Sequence, residues 1–169
     1  MSKKRAAEPL GTALKEDDIE RQKVLTVAYQ PKVKYAWAAG IAIGRFLRGL
    51  KAGEILGTRC EHCGRVAVPP RIFCEWCFKS SDSWVKLPDT GTVNTFSISY
   101  IRADTTRVKT PIIPAVIGID STTDAGFLHL IGEIKPDDVR IDMRVKAVWL
   151  DASQRKGSIT DIKYFAPIK

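Results

Sequence analysis

No stretch of this sequence stays apolar long enough to cross a bilayer. The longest such run, Ala36 to Gly44, ends at Arg45 and Arg48, far short of the ~20 residues that a spanning helix requires. The opening Met-Ser-Lys-Lys-Arg is not followed by an apolar stretch and a small-residue cleavage site, so no secretory signal and a cytoplasmic, reducing location are expected. Chemistry-bearing motifs are also missing. There is no G-x-S-x-G elbow, no phosphate loop and no dinucleotide fingerprint, which removes those enzyme classes. Histidine is scarce: His129 lies in a strand-like run without a nucleophile or carboxylate at a telling spacing, and His62 reads as a solvent-facing residue. Internal repeats and low-complexity tracts are absent too. What remains is a chain of 169 residues, 44% apolar and 27% charged, enough to build a core in one domain or in a compact domain with a small module.

All four cysteines fall within one short stretch, Cys60-Glu-His-Cys63 and Cys74-Glu-Trp-Cys77. In a reducing compartment this C-x2-C-x10-C-x2-C spacing reads as a zinc site with Cys60, Cys63, Cys74 and Cys77 as ligands. Two residues between ligands let a tight turn, or knuckle, aim both sulfurs at one point, and two knuckles complete a tetrahedron of thiolates. Location and spacing weigh against two disulfides or four free thiols. Gly64 suits the backbone conformation such a knuckle often needs, whereas Phe78 stands in the same place after the second pair. Between the pairs, the apolar Val66 to Phe73 run turns at Pro69-Pro70, as a ribbon hairpin requires. A closed four-thiolate shell leaves no position for water or substrate, so the metal is expected to hold the fold. Four thiolates and one divalent ion lower the formal charge from +8 to +6.

The expected class is mainly β with an N-terminal helix: a zinc ribbon followed by a five-stranded barrel of the oligonucleotide/oligosaccharide-binding (OB) type. Residues 1–32 read as a charged arm, with Lys15 to Lys23 forming at most a short solvated helix. Residues 33–53 read as a helix whose apolar surface, with Trp37, Ile41, Ile43, Phe46, Leu47 and Leu50, spreads beyond one stripe and suits docking on another chain. The ribbon is assigned to 54–83 and the barrel to 84–169. Strand patterns run through Val93 to Tyr100, Ala115 to Ile119, Phe127 to Ile131, Val145 to Leu150 and Ile159 to Phe165, separated by turn-forming clusters. Five short antiparallel strands avoid exposed edges by curling into a partly open Greek-key barrel. Gly118 and Gly132, inside strand patterns, are candidate bulges or bends.

From Lys34 onward the chain resembles a family of rubredoxin-like zinc-ribbon/OB-fold proteins associated with acyl-CoA metabolism, catalogued as domain of unknown function thirty-five. The resemblance rests on Tyr35-Ala-Trp-Ala-Ala-Gly40, Leu56-Gly-Thr-Arg-Cys60-Glu-His-Cys63-Gly64, Pro69-Pro-Arg-Ile-Phe-Cys74 and Gly91-Thr-Val. In that family a Gly commonly precedes the Met of the late barrel turn, where Ile141-Asp142-Met143 has Asp. The resemblance implies an accessory subunit, not an enzyme on its own, in a hetero-oligomer with a thiolase-like catalytic subunit. That partner would form or cleave carbon–carbon bonds of acyl-CoA by thiolase, HMG-CoA-synthase-like or aldolase chemistry, with coenzyme A shared between the subunits. One independent point agrees: thiolase chemistry needs an activated Cys, and zinc leaves none here.

Coenzyme A carries a polyanionic head that cations recognise. Arg102, Arg107 and Lys109 occur together in Ile101 to Thr110, read as a loop joining two barrel strands, and are the candidate contacts; Arg45 and Arg48 are a second choice. The competing class is a single-stranded nucleic-acid-binding module, which the barrel and a pI near 9.4 would suit. Scattered positive charge and aromatics at core positions make nucleic acid the less favoured partner, and no membrane partner is expected.

Overall fold

The computed structural model describes residues 15–25, 36–81, 83–102, 104–123 and 126–168. The chain divides into two units, Met1–Trp37 and Ala38–Lys169. In the first, a five-residue helix α1 (Glu16–Glu20) is short and solvated as expected; its Asp17 pairs with Arg21 at 3.0 Å. Residues 1–14 and 26–32, the rest of the expected arm, lie outside the described residues.

The second unit opens with helix α2 (Gly40–Ala52). The helix starts later than the expected Val33: Ala36 to Ala39 lie outside it, and residues 33–35 are not described. Gly40 takes φ +68° and Ala39 offers no capping side chain, so the backbone cannot extend the helix backwards. The end is well defined. Gly53 adopts a left-handed φ of +81°, its N–H and that of Glu54 meeting the Leu50 and Gly49 carbonyls at 2.9 Å. Phe46, Gly49 and Leu50 are buried; the Phe46 ring meets Phe127 of the barrel edge-on, 6.3 Å between centroids.

Strand β1 (Ile55–Arg59) follows and lies between β2 (Val66–Ala67) and β3 (Ser83–Leu87) in a three-stranded ribbon sheet. Trp84 to Leu87 therefore pair with β1: Trp84 lies opposite Thr58 and Leu87 opposite Ile55. The barrel is a five-stranded antiparallel sheet built from β4 (Thr90–Phe96), β7 (Pro114–Ile119), β8 (Gly126–Leu130), β9 (Arg144–Trp149) and β10 (Ile162–Pro167), in the order β10-β9-β4-β7-β8. Between β4 and β7 the chain leaves the barrel as a separate two-stranded hairpin, β5 (Ser99–Ile101) and β6 (Arg107–Ile112). The strand expected over Val93 to Tyr100 thus ends at Phe96, and most of the expected loop 101–110 is hairpin strand. Ile159–Asp161, read as strand, is a 3-10 turn.

Alternate residues of β7 point inward, so Ala115, Ile117 and Ile119 join Val93, Val145, Ile162 and Phe165 in the barrel core. Full burial of each large apolar side chain there contributes about 1.5–3 kcal/mol. Bulges fall in β4 between Val93 and Thr95 and in β10 between Ile162 and Tyr164, not at Gly118. Gly132 instead lets the Tyr164 ring lie against the backbone. At Asp142 the chain takes φ +63°, a left-handed turn that Asp tolerates better than most residues.

The barrel closes only in part, through a parallel bridge between Ile131 and Phe165 and the bond from Gly132 N–H to the Phe165 carbonyl at 2.9 Å. His129 continues this seam where sheet pairing stops. Its Nδ1 accepts the Leu130 N–H at 2.9 Å, leaving Nε2 as the donor to the Ile159 carbonyl at 3.1 Å. This is a structural role. Beside it, the loop before β10 is organised by buried Asp161. Burial alone would raise that carboxyl, but the N–H groups of Lys156, Ser158 and Gly157 outweigh it and hold it below the usual carboxylate range.

Candidate metal centre

Each cysteine pair sits on a tight turn with the same hydrogen bonds. In the first knuckle Cys60 N–H donates to the Arg65 carbonyl and Gly64 N–H to the Cys60 carbonyl, both at 2.8 Å. In the second, Cys74 N–H donates to the Lys79 carbonyl at 2.7 Å and Phe78 N–H to the Cys74 carbonyl at 2.8 Å. The first turn requires φ +73° at Gly64, the second φ +55° at Phe78. A phenylalanine thus holds the left-handed conformation that glycine holds at no steric cost.

The turns bring all four sulfurs within 4.8 Å of one another, with Cys60 to Cys77 and Cys63 to Cys74 each at 3.5 Å. A disulfide needs about 2.05 Å, so the cysteines are not paired covalently. Zinc–sulfur bonds of about 2.3 Å give a tetrahedral edge of roughly 3.8 Å, which these separations fit. The expected ligand set is therefore brought together as one S4 cage. Cys60 and Cys74 are buried, Cys63 is exposed and Cys77 is intermediate.

The sulfurs are not equivalent as acids. The backbone N–H of Cys63 beside its sulfur, helped by that of His62, lowers the Cys60 thiol to about 6. Cys74 is lowered by the N–H groups of Cys77 and Trp76. For Cys77 the Lys79 N–H acts in the same sense, but desolvation and the neighbouring sulfurs prevail and push it up to about 12. Four thiolates so close together need a cation; zinc, when bound, supplies it and crosslinks both knuckles without an open coordination position.

Side chains around the cage join the second knuckle to the sheet. Thr58, buried in β1, donates its hydroxyl to the Arg71 carbonyl at 2.9 Å and accepts the Arg71 N–H at 3.0 Å. Glu75 lies between Arg65 at 2.8 Å and Arg71 at 2.6 Å, and the Arg65 guanidinium covers the Trp76 ring at 4.3 Å. None of this network was anticipated from sequence. Across the ribbon–barrel boundary, Val66 N–H meets Thr123 Oγ1 at 3.2 Å and Thr123 N–H meets the Val66 carbonyl at 3.0 Å.

The other candidate residues lie apart from the metal cage in the chain's topology. Arg107 and Lys109 are exposed on one face of β6, two residues apart, and Arg107 is opposite Ile101. Arg102 begins the turn, its N–H bonded to the Thr106 carbonyl at 2.9 Å. The hairpin thus brings the three cations toward one end, Arg102 in its turn and Arg107 and Lys109 on strand β6. Arg45 stacks on Trp84 at 4.4 Å. Among the described residues, the only cluster of His, Cys, Asp and Glu suited to a metal is the cysteine cage, and no helix is long and apolar enough to cross a membrane.

Comparison with known proteins agrees with this architecture. Residues 48–82 match the model of the ChsH2 rubredoxin-like zinc ribbon domain, and 84–150 that of the ChsH2 C-terminal OB-fold domain. A DUF35 domain-containing scaffold protein of Methanocaldococcus jannaschii is 30% identical over 118 residues, covering 68% of this chain and 82% of that protein. Among solved structures, a DUF35-family protein of unknown function from Sulfolobus solfataricus aligns with a TM-score of 0.56 at 27% identity, over 64% of this chain and 78% of that one. The Ltp2-ChsH2(DUF35) aldolase aligns with a TM-score of 0.53 at 21% identity, over 82% of this chain and 98% of the other, a likeness of fold.

Proposed function

Because the chain belongs to the DUF35 family, we propose that it is a non-catalytic scaffold subunit of an enzyme complex, one whose partner is thiolase-like and acts on acyl-CoA. The observation that carries this reading is the S4 cage: all four cysteines line it, so none is left as a nucleophile when the metal is bound, and the histidine in the barrel is committed to its seam. The relative named as a scaffold protein and the fold shared with an aldolase complex support the same role.

Two surfaces serve it. The N-terminal half of α2 exposes Ile41 and Ile43 and docks on the partner. Arg102, Arg107 and Lys109 reach the phosphates of coenzyme A held between the subunits, because three cations at one end of a projecting hairpin match a polyanion. Replacing these three by Ala in the purified complex is expected to weaken coenzyme A binding at least about tenfold, or ~1.4 kcal/mol, while the subunits stay together. Unchanged affinity in calorimetric titration dismisses the hairpin contact. Salt-sensitive binding of single-stranded DNA by the isolated chain would favour a nucleic-acid role instead.

A further inference from the structure

The chain around the cage carries unequal charge. Residues 59–79 hold four cations, Arg59, Arg65, Arg71 and Lys79, against two acids, Glu61 and Glu75, a surplus of +2. Four thiolates on one divalent ion carry −2, so this segment is neutral when the cage is loaded. Three of the cations reach water: Arg59 and Lys79 are exposed, and the Arg71 side chain is 55% exposed. Arg65 differs. Its side chain is 12% exposed, and its buried Nε and Nη1 have no acceptor among the described residues; Nη2 alone is paired, with Glu75 at 2.8 Å. Burying a guanidinium with two unmet donors is costly, and a neutral side chain of similar length would cover Trp76 without that cost. Glu75 does not offset it alone, because its other oxygen meets Arg71 at 2.6 Å.

The position of Arg65 indicates what does. Its carbonyl accepts the Cys60 N–H at 2.8 Å, which fixes its backbone on the first knuckle. Its guanidinium lies over Trp76 and against Glu75, both on the second. Arg65 and Cys74 line one small cavity there. We propose that Arg65 is the built-in counter-cation of the loaded cage, a positioning residue that strengthens zinc binding by charge without touching the ion. The loaded cage is more negative than the thiols it replaces, so a fixed cation in this sheltered surround favours the loaded state and a fixed anion opposes it. Arg65 and Glu75 therefore act on the metal with opposite signs, although they are partners in one ion pair. This role is independent of which enzyme the chain assembles with.

Zinc affinity of the full-length chain, measured by competition with a chelator of known affinity, tests it. Arg65→Met removes the charge and keeps the length, and is expected to weaken zinc about 10–100-fold; Arg65→Lys, which keeps the charge, is expected to recover most of that loss. Glu75→Gln breaks the ion pair but leaves Arg65 in place, and is expected to bind zinc as tightly as the wild type or more tightly. A merely structural ion pair predicts the reverse for Glu75→Gln, a loss matching that of Arg65→Met. Unchanged affinity in Arg65→Met overturns the proposal. So does a weakened Glu75→Gln, which decides the matter even where Arg65→Met yields no folded ribbon.

Discussion

Cys60→Ser is expected to lose the metal and unfold the ribbon while the barrel persists. Cys60 is a fully buried ligand at the end of β1, and its N–H and carbonyl close the first knuckle. The ribbon's three strands, one of them only two residues long, bury too few apolar side chains to fold unaided. Structural zinc contributes about 10–16 kcal/mol of apparent binding free energy in small zinc-dependent folds, far more than this sheet can replace. The barrel strands contribute Val93, Ile117, Val145 and Phe165 to the core, so the variant should melt in a single, smaller transition that belongs to the barrel. Excess chelator should reproduce the effect in the wild type. Acid should as well: the sulfurs bind as thiolates, so lowering the pH returns protons to them and releases the ion. Metal analysis together with calorimetry checks this; Cys60→Ser retaining about one ion per chain and an unchanged melting profile would contradict it.

Gly91→Ala should be nearly as damaging at the other end of the structure. Gly91 lies in β4 between Ile119 of β7 and Val145 of β9, paired on both sides. A methyl group there would collide with the Gly118 carbonyl and lie 3.0 Å from Ile117 Cγ2. The carbonyl belongs to a paired strand and cannot move aside without breaking register, so a loss of about 1–3 kcal/mol is expected. For a domain of this size that lowers the melting temperature by about 2–12 °C. Gly44→Ala is the opposite case. Nothing lies within 4 Å of its added carbon in α2, and the helix gains about 1 kcal/mol. Equal effects of the two substitutions in thermal denaturation would show that close packing of strands at Gly91 does not matter.

The cage was the most legible feature because ligand spacing is local: two residues between cysteines suffice to define a knuckle. The five barrel strands were legible for the same reason, since Ala115, Ile117 and Ile119 alternate inward as a half-buried strand must. Features set by tertiary context were not. The β5–β6 hairpin lacks the clean alternation of a strand with one buried face, because its residues are mostly exposed. The late start of α2 is decided by the conformation of Gly40, which composition does not reveal. Glu75 meeting Arg65 and Arg71 depends on how the knuckles face each other.

The most direct test is a turnover assay for carbon–carbon bond formation or cleavage on acyl-CoA, run with the zinc-loaded chain alone, the partner subunit alone and the reconstituted complex. A scaffold with every thiol bound to metal predicts no turnover by the chain alone and turnover in the complex. Turnover by the isolated chain, at a rate the complex does not exceed, would contradict it.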